Sequence, residues 1–322
     1  MMFLSPLLGY FSMVLFSVTL ALSAHSMFFF WISLEVNILA ILPLLTSTQS
    51  PTSNEIALKY FISQGIASIF FLCFSLLSLK ISSLTLMAMV MILFKMGLPP
   101  LHSWMVSIFL ASPLWVIFLI STVQKLIPLH ILAVMQIPSS LLTGFVLLTL
   151  VLSLMTAKNM QSIRPMLILS TFGNSCWMAA STLLSKLWLW FLFFYSLFLA
   201  SALKSLLSFN IQKLSSLLSE SQFVKILCFL NFLNLAGLPP FSGFLLKLTL
   251  LKTFLLYAPL TLMLLLISLS LIVLYVYLSI TFFGLASFSA STNQSTRSSS
   301  IFMGILTLIS SLFAPLLMFL SP

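Results

Sequence analysis

Apolar residues run along this chain in long blocks that follow one another almost without pause, with only short polar connections between them. A helix needs roughly 20 apolar residues to cross about 30 Å of hydrocarbon. The pattern predicts an all-α polytopic membrane protein with about eleven spans, at residues 3–22, 26–46, 57–79, 82–110, 113–137, 140–157, 164–184, 187–209, 222–254, 258–284 and 300–320. The longest connections, TSTQSPTSNE (46–55) and SASTNQSTRSSS (289–300), are Ser/Thr-rich and leave no room for a second domain. The stretch 210–222 has the pattern of an amphipathic segment lying at the interface.

The fourth and ninth blocks, 82–110 and 222–254, are too long for one straight crossing, and each contains Gly-Leu-Pro-Pro. Glycine permits unusual dihedrals and proline removes a helical hydrogen bond. Gly97, Pro99 and Pro100, and Gly237, Pro239 and Pro240, should therefore open these helices part-way across. Non-helical backbone at that depth survives only inside protein or beside water. Two breaks separated by an odd number of spans run in opposite directions, the pattern of an inverted repeat whose interruptions mark an ion site. The expected organisation is one membrane domain over 1–322, with five-helix repeats at 1–138 and 139–286 and an additional helix at 300–320.

Composition agrees: 61% of the residues are hydrophobic and 5% charged, with a mean hydropathy of +1.25, against about 25% charged in a soluble domain. The start, MMFLSPLLGYFSMVLF, has no basic leader and no small-residue cleavage site, so it reads as the first span rather than a signal peptide, and it is not an Arg-rich transit peptide. Cys73, Cys176 and Cys228 fall inside apolar spans, where free thiols behave as small hydrophobes, and they suggest no disulfide and no metal. No phosphate loop, Cys-x-x-Cys or His-Glu-x-x-His occurs, so no bound cofactor is expected. The sequon at Asn293 is weak evidence for anything. The net charge of +10 is too scattered for a nucleic-acid groove but could attract anionic lipid such as cardiolipin. Lys59, Lys158, Arg164, Lys213, Lys225 and Arg297 fall on the amino-terminal side, and Lys80, Lys186 and Lys252 on the other. By the positive-inside rule, that bias puts the amino terminus in the compartment of synthesis and the carboxyl terminus opposite.

What remains is a handful of charges inside the spans: Glu35, Lys95, Lys125, Lys204 and Lys247. A charge at the bilayer centre costs about 2.5–3.5 kcal/mol. Glu35, Lys95, Lys125 and Lys247 would together cost on the order of 10 kcal/mol in lipid, comparable to the stability of a whole domain. They must face protein or water. Structural ion pairs or snorkelling lysines are the bland alternative, and snorkelling suits Lys204, Lys225 and Lys252. Lys125, near mid-span, is too deep to snorkel, and three lysines cannot all be neutralised by one glutamate. His102, His130 and Lys204 are further relay candidates, although a satisfied core histidine is the commoner outcome for each of the two histidines and snorkelling the preferred account of Lys204, and His25 reads as a solvated loop residue.

Five blocks in series, WISLEVNILAILPLL (31–45), KYFISQGIAS (59–68), FKMGLPPLHSW (94–104), VQKLIPL (123–129) and GLPPFSGFLLK (237–247), resemble those of the subunit 2 family of mitochondrial NADH:ubiquinone oxidoreductase, the antiporter-like subunits of respiratory complex I. The resemblance implies the eleven-helix animal form, which lacks three amino-terminal helices. It also implies a multi-pass inner-membrane location with the amino terminus in the matrix and the carboxyl terminus in the intermembrane space. The implied partners are other membrane-arm subunits, lipid, protons and water. NAD, FMN, iron–sulfur clusters and ubiquinone would belong to the whole complex, and this chain would carry no redox centre. Carried over by position, Glu35 matches the glutamate of the family's second helix, Lys95 the lysine at the first break, Lys125 the central-axis lysine and Lys247 the lysine after the second break. The chain departs from the pattern at Asn174, where histidine is common, and at Met105-Val106-Ser107, where an acidic residue is common.

The expected function is therefore proton translocation through a mid-membrane Glu/Lys/water relay driven by electron transport from NADH to ubiquinone. Burial disfavours a charged amine and a nearby carboxylate favours it, so movement of Glu35 relative to Lys95 would hold or release a proton toward Lys125. The alternatives are a stand-alone cation/proton antiporter, which needs no partner, and a structural membrane-arm spacer.

Overall fold

Local capping chemistry sets where the helices begin and end. The computed structural model describes residues 4–47, 51–157, 162–184, 187–209, 216 and 222–286, and every regular element among them is helical. The expected helix 300–320, most of the 210–222 segment, Asn293, and the cations Lys158, Lys186, Lys213 and Arg297 lie outside the described residues.

Helix α1 spans Leu4–Ser23 and α2 Met27–Thr46. Ser26 caps α2 from an extended conformation, its Oγ accepting from the Phe29 amide at 3.4 Å. Helix α3, Pro51–Leu77, starts six residues before the expected 57, so the connection expected at 46–55 is helical from Pro51 onward. Proline suits a first helical position, where its missing N–H costs nothing, and Glu55 pairs with Lys59 one turn later. Then come α4 (Leu84–Lys95), α5 (Ser103–Ala111), α6 (Leu114–Ser121), α7 (Val123–Met135), α8 (Ser139–Ala157), α9 (Ile163–Ser181, followed by a 3-10 turn at Thr182–Leu184), α10 (Leu187–Ser208), α11 (Gln222–Ala236), α12 (Ser242–Tyr257) and α13 (Leu260–Ala286).

Both Gly-Leu-Pro-Pro segments are breaks, and their glycine-centred helix endings are built alike. Gly97 sits at φ +74° and Gly237 at φ +82°, the left-handed region that glycine enters without a Cβ penalty. The Gly97 amide donates to Phe94 O at 2.9 Å and the Leu98 amide to Leu93 O at 3.2 Å. In the second break Gly237 donates to Asn234 O at 3.2 Å and Leu238 to Leu233 O at 3.3 Å. This bond pair is the Schellman ending of a helix, and the prolines that follow prevent the helix from resuming. A third break was not expected: the span predicted at 113–137 is interrupted at Thr122 (φ −120°, ψ −75°), between α6 and α7.

Among the described residues, seven stretches are long and apolar enough to cross a membrane, one of them α6 and α7 taken together, whereas α4 and α11 are shorter apolar helices. The chain forms two compact units, residues 1–145 and 146–322, with the division inside α8. In the first, α2 packs on α1 and α3, α3 on α4 and α5, and α7 on α1, α2, α4 and α6. In the second, α9 packs on α10 and α13, and α11 on α10, α12 and α13. Every residue of α9 from Met166 to Ser181 is buried. Its hydroxyls bond back to the preceding turn, as Ser170 does to Leu167 O (2.9 Å) and Ser181 to Met178 O (2.6 Å), which lets a polar sequence serve as core.

Candidate functional site

In the first unit the polar residues of α3 recur at helical spacing. Ser53, Tyr60, Gln64, Ser68 and Ser75 are buried, on a stripe of positions four or seven apart, while Leu58, Ile62, Ile66 and Ile69 are exposed. Helix α2 presents Glu35 and Asn37 and α7 presents Gln124 to the same region. Ser68 donates to Glu35 Oε1, and Gln124 Nε2 donates to the Tyr60 hydroxyl. Tyr60 also packs edge-on against Trp104, whose Nε1 donates to Phe94 O at 3.2 Å, next to the first break.

Lys95 is the last residue of α4, and its side chain is 93% buried by difference from an exposure of 7%. Its Nζ has no hydrogen-bond partner among the described residues. Glu35 acts on it, and on Tyr60, electrostatically. The two nevertheless form no direct ion pair: among the described residues the ion pair is Glu55–Lys59. An unpaired buried polar donor costs about 1–3 kcal/mol, more when charged. Such an arrangement holds a charge in a place where a small displacement of its counter-charge changes its energy. The helix geometry adds a second bias. The carboxyl end of α4 carries partial negative charge and favours a cation in its last turn.

Lys125 lies in the first turn of α7, directly after the Thr122 break, and is 2% exposed. A helix amino terminus carries partial positive charge and opposes an ammonium there. The first unit thus has one lysine at a favourable helix end and one at an unfavourable end. His130, on α7, is half-buried and meets the Phe30 ring edge-on at 5.8 Å. His102 precedes α5, half-exposed, with Nδ1 3.0 Å from Pro100 O.

In the second unit the break carries a different set of bonds. Lys247, on α12 and 7% exposed, reaches back to donate to Ala236 O at 2.8 Å, the carbonyl at the end of α11. Asn234 Oδ1 accepts from Ser242 Oγ at 3.1 Å and from the Gly243 amide at 3.0 Å. The last turn of α11 therefore caps the first turn of α12. Here the lysine is satisfied, whereas Lys95 is not.

Three lysines expected at the surface divide. Lys252 and Lys204 are exposed, on α12 and α10. Lys225, expected to snorkel, is instead fully buried in α11, a helix that packs on both α10 and α13. A lysine near the end of an apolar block reads as an interfacial residue, and only packing shows otherwise. The amides Asn37, Gln64, Gln124 and Asn234 were also passed over. The α3 stripe was the available signal for Gln64, and nothing local singles out the others. Cys73 is exposed, Cys176 and Cys228 are buried, and none of the three is held in a disulfide.

The sequence matches the family model described as NADH:quinone oxidoreductase/Mrp antiporter, transmembrane, over residues 74–274. The chain belongs to this antiporter family. A relative from Myxine glutinosa, NADH-ubiquinone oxidoreductase chain 2, is 31% identical over 93% of this chain and 92% of its own length. Among solved structures, respiratory complex I from Thermus thermophilus with bound aureothin contains a chain with a TM-score of 0.75 and 21% identity, covering 92% of this chain and 74% of that one. The Mrp complex from Dietzia gives 0.71 and 18%, over 89% and 61%. These two likenesses show the antiporter-family fold.

Proposed function

We propose that this chain is a proton-translocating, antiporter-like membrane-arm subunit of NADH:ubiquinone oxidoreductase in the mitochondrial inner membrane. Its partners in this reading are other membrane-arm subunits and lipid, the redox cofactors reside elsewhere in the complex, and the cation bias puts the amino terminus in the matrix. The observation that carries the reading is the Glu35–Lys95 pair, close enough to interact electrostatically yet not joined as an ion pair. The 31% identity to a relative named as oxidoreductase chain 2 favours a complex subunit over a stand-alone antiporter.

In the first unit, approach of Glu35 stabilises the charged Lys95 amine, and withdrawal weakens that hold and frees a proton toward Lys125. Lys247 is the corresponding proton-carrying group of the second unit. The matching Schellman breaks support an inverted repeat over 1–138 and 139–286. His102, His130 and the exposed Lys204 are auxiliary positions. The deciding experiment replaces Lys125→Met in the assembled complex and measures proton pumping per NADH oxidised. Loss of pumping with normal assembly is expected. Unchanged coupling would reject the relay and leave a structural spacer.

A further inference from the structure

Five side-chain polar atoms in the first unit are buried without partners among the described residues, and three of them, Asn37 Oδ1, Gln64 Nε2 and Lys95 Nζ, belong together. They come from three different helices, α2, α3 and α4. All three residues line one cavity of about 10 Å³, together with Leu34, Ile38, Tyr60, Gln124 and Pro128. A cavity of roughly 10–15 Å³ holds one water, provided two to four polar partners surround it.

We propose that Asn37, Gln64 and Lys95 form a binding site for a single bridging water, and that the two amides are positioning residues for proton transfer at Lys95. One water matches one donor or acceptor on each of the three groups. Lys95 and Gln64 each offer an N–H, which the water oxygen accepts on its two lone pairs. Asn37 Oδ1 accepts one water O–H. The second O–H is left for the remaining polar wall, where Gln124 donates to Tyr60. No other hydrogen-bond partner of these three atoms competes for the site among the described residues. The charged group lining it is Lys95, on which Glu35 acts electrostatically from α2 without lining the cavity. The water is thus fixed by neutral amides whose own charge does not change as the lysine gains or loses its proton.

Because the inference rests on the relay reading, the test separates the two. A high-resolution map of the assembled complex should show one ordered water within hydrogen-bond distance of all three atoms. In Asn37→Leu and Gln64→Met, which keep side-chain size but remove the polar atoms, that water should be absent and the rate of NADH-driven proton pumping should fall at least about tenfold. Asn37→Ser, which restores an oxygen, should recover part of the loss. A native map with no water bound by the three atoms, or apolar variants that pump at the native rate, would overturn the site. Should either variant fail to assemble, the native map decides alone. If Lys95→Met abolishes coupling while the amide variants do not, the water site fails and the relay stands. If Lys95→Met is itself silent, the relay reading fails.

Discussion

A Cβ built on Gly243 would lie 2.0 Å from the carbonyl oxygen of Asn234, a backbone atom that cannot move without separating the two helices of the second break. Gly97 is less constrained. A Cβ there meets the Met105 sulfur at 2.4 Å, the far end of a flexible side chain, although φ of +74° adds strain of about 1–2 kcal/mol for a non-glycine residue. Gly65, mid-way along α3, has open space around it. The expected order of damage is therefore Gly243→Ala worst, Gly97→Ala intermediate and Gly65→Ala neutral or slightly stabilising, since alanine is the better helix former. The yield of assembled complex checks it, and an intact Gly243→Ala variant would contradict the close packing. A charge on the outer face behaves differently from one at a break. Glu55 and Lys59 have side chains 64% and 51% exposed, and pairs of that kind contribute about 0–1 kcal/mol. Glu55→Gln should leave both stability and coupling unchanged, which makes it the control for every other charge variant.

At the scale of elements, the two breaks share a helix ending and differ in what holds them. Asn234 spans the second by capping α12 from the end of α11. Asn234→Ala should lower thermal stability by about 1–2 kcal/mol, the usual cost of losing a cap, and Asn234→Asp, which retains the acceptor, should lower it less. Equal losses in the two variants would mean that the cap is not what matters. Gly-Leu-Pro-Pro was legible because each residue has a local role: left-handed glycine, then prolines that forbid continuation. The Thr122 break had no such signal. It follows two adjacent hydroxyls that bond back, Ser121 to Ile117 O and Thr122 to Phe118 O, both at 2.6 Å. Hydroxyls in that position bend helices only in some contexts, so a sequence of otherwise strong apolar character hides it. Glu35, Lys95, Lys125 and Lys247 were legible because an ionised side chain inside an apolar block has few affordable places to go. Their neutral neighbours were not: an amide in a helix has no comparable penalty in any one environment, and only the meeting of α2, α3, α4 and α7 reveals that Asn37, Gln64 and Gln124 belong together.

At the scale of the whole molecule, the exposed surface is the opposite of a soluble protein's. Leu79, Leu256, Leu255 and Met155 are 85%, 76%, 71% and 68% exposed, and apolar side chains of this size presented in numbers need lipid or protein against them. The net charge of +10, meanwhile, is carried by a chain with only three acidic residues. A subunit of a larger assembly and a self-sufficient antiporter would cover these surfaces differently: the first with neighbouring subunits, the second with lipid alone. In mild detergent on a native gel, the chain should migrate with a large assembly that oxidises NADH in the gel, and should be absent at the position expected for a 35.9 kDa protein in its own micelle. Migration as that small particle, with cation/proton exchange retained after reconstitution, would favour the antiporter alternative. The same sample discriminates further when Lys95→Met and Lys247→Met are compared. Among the described residues Lys95 Nζ has no hydrogen-bond partner and Lys247 holds a backbone carbonyl, so the first substitution should cost coupling with little loss of assembly, whereas the second should cost both.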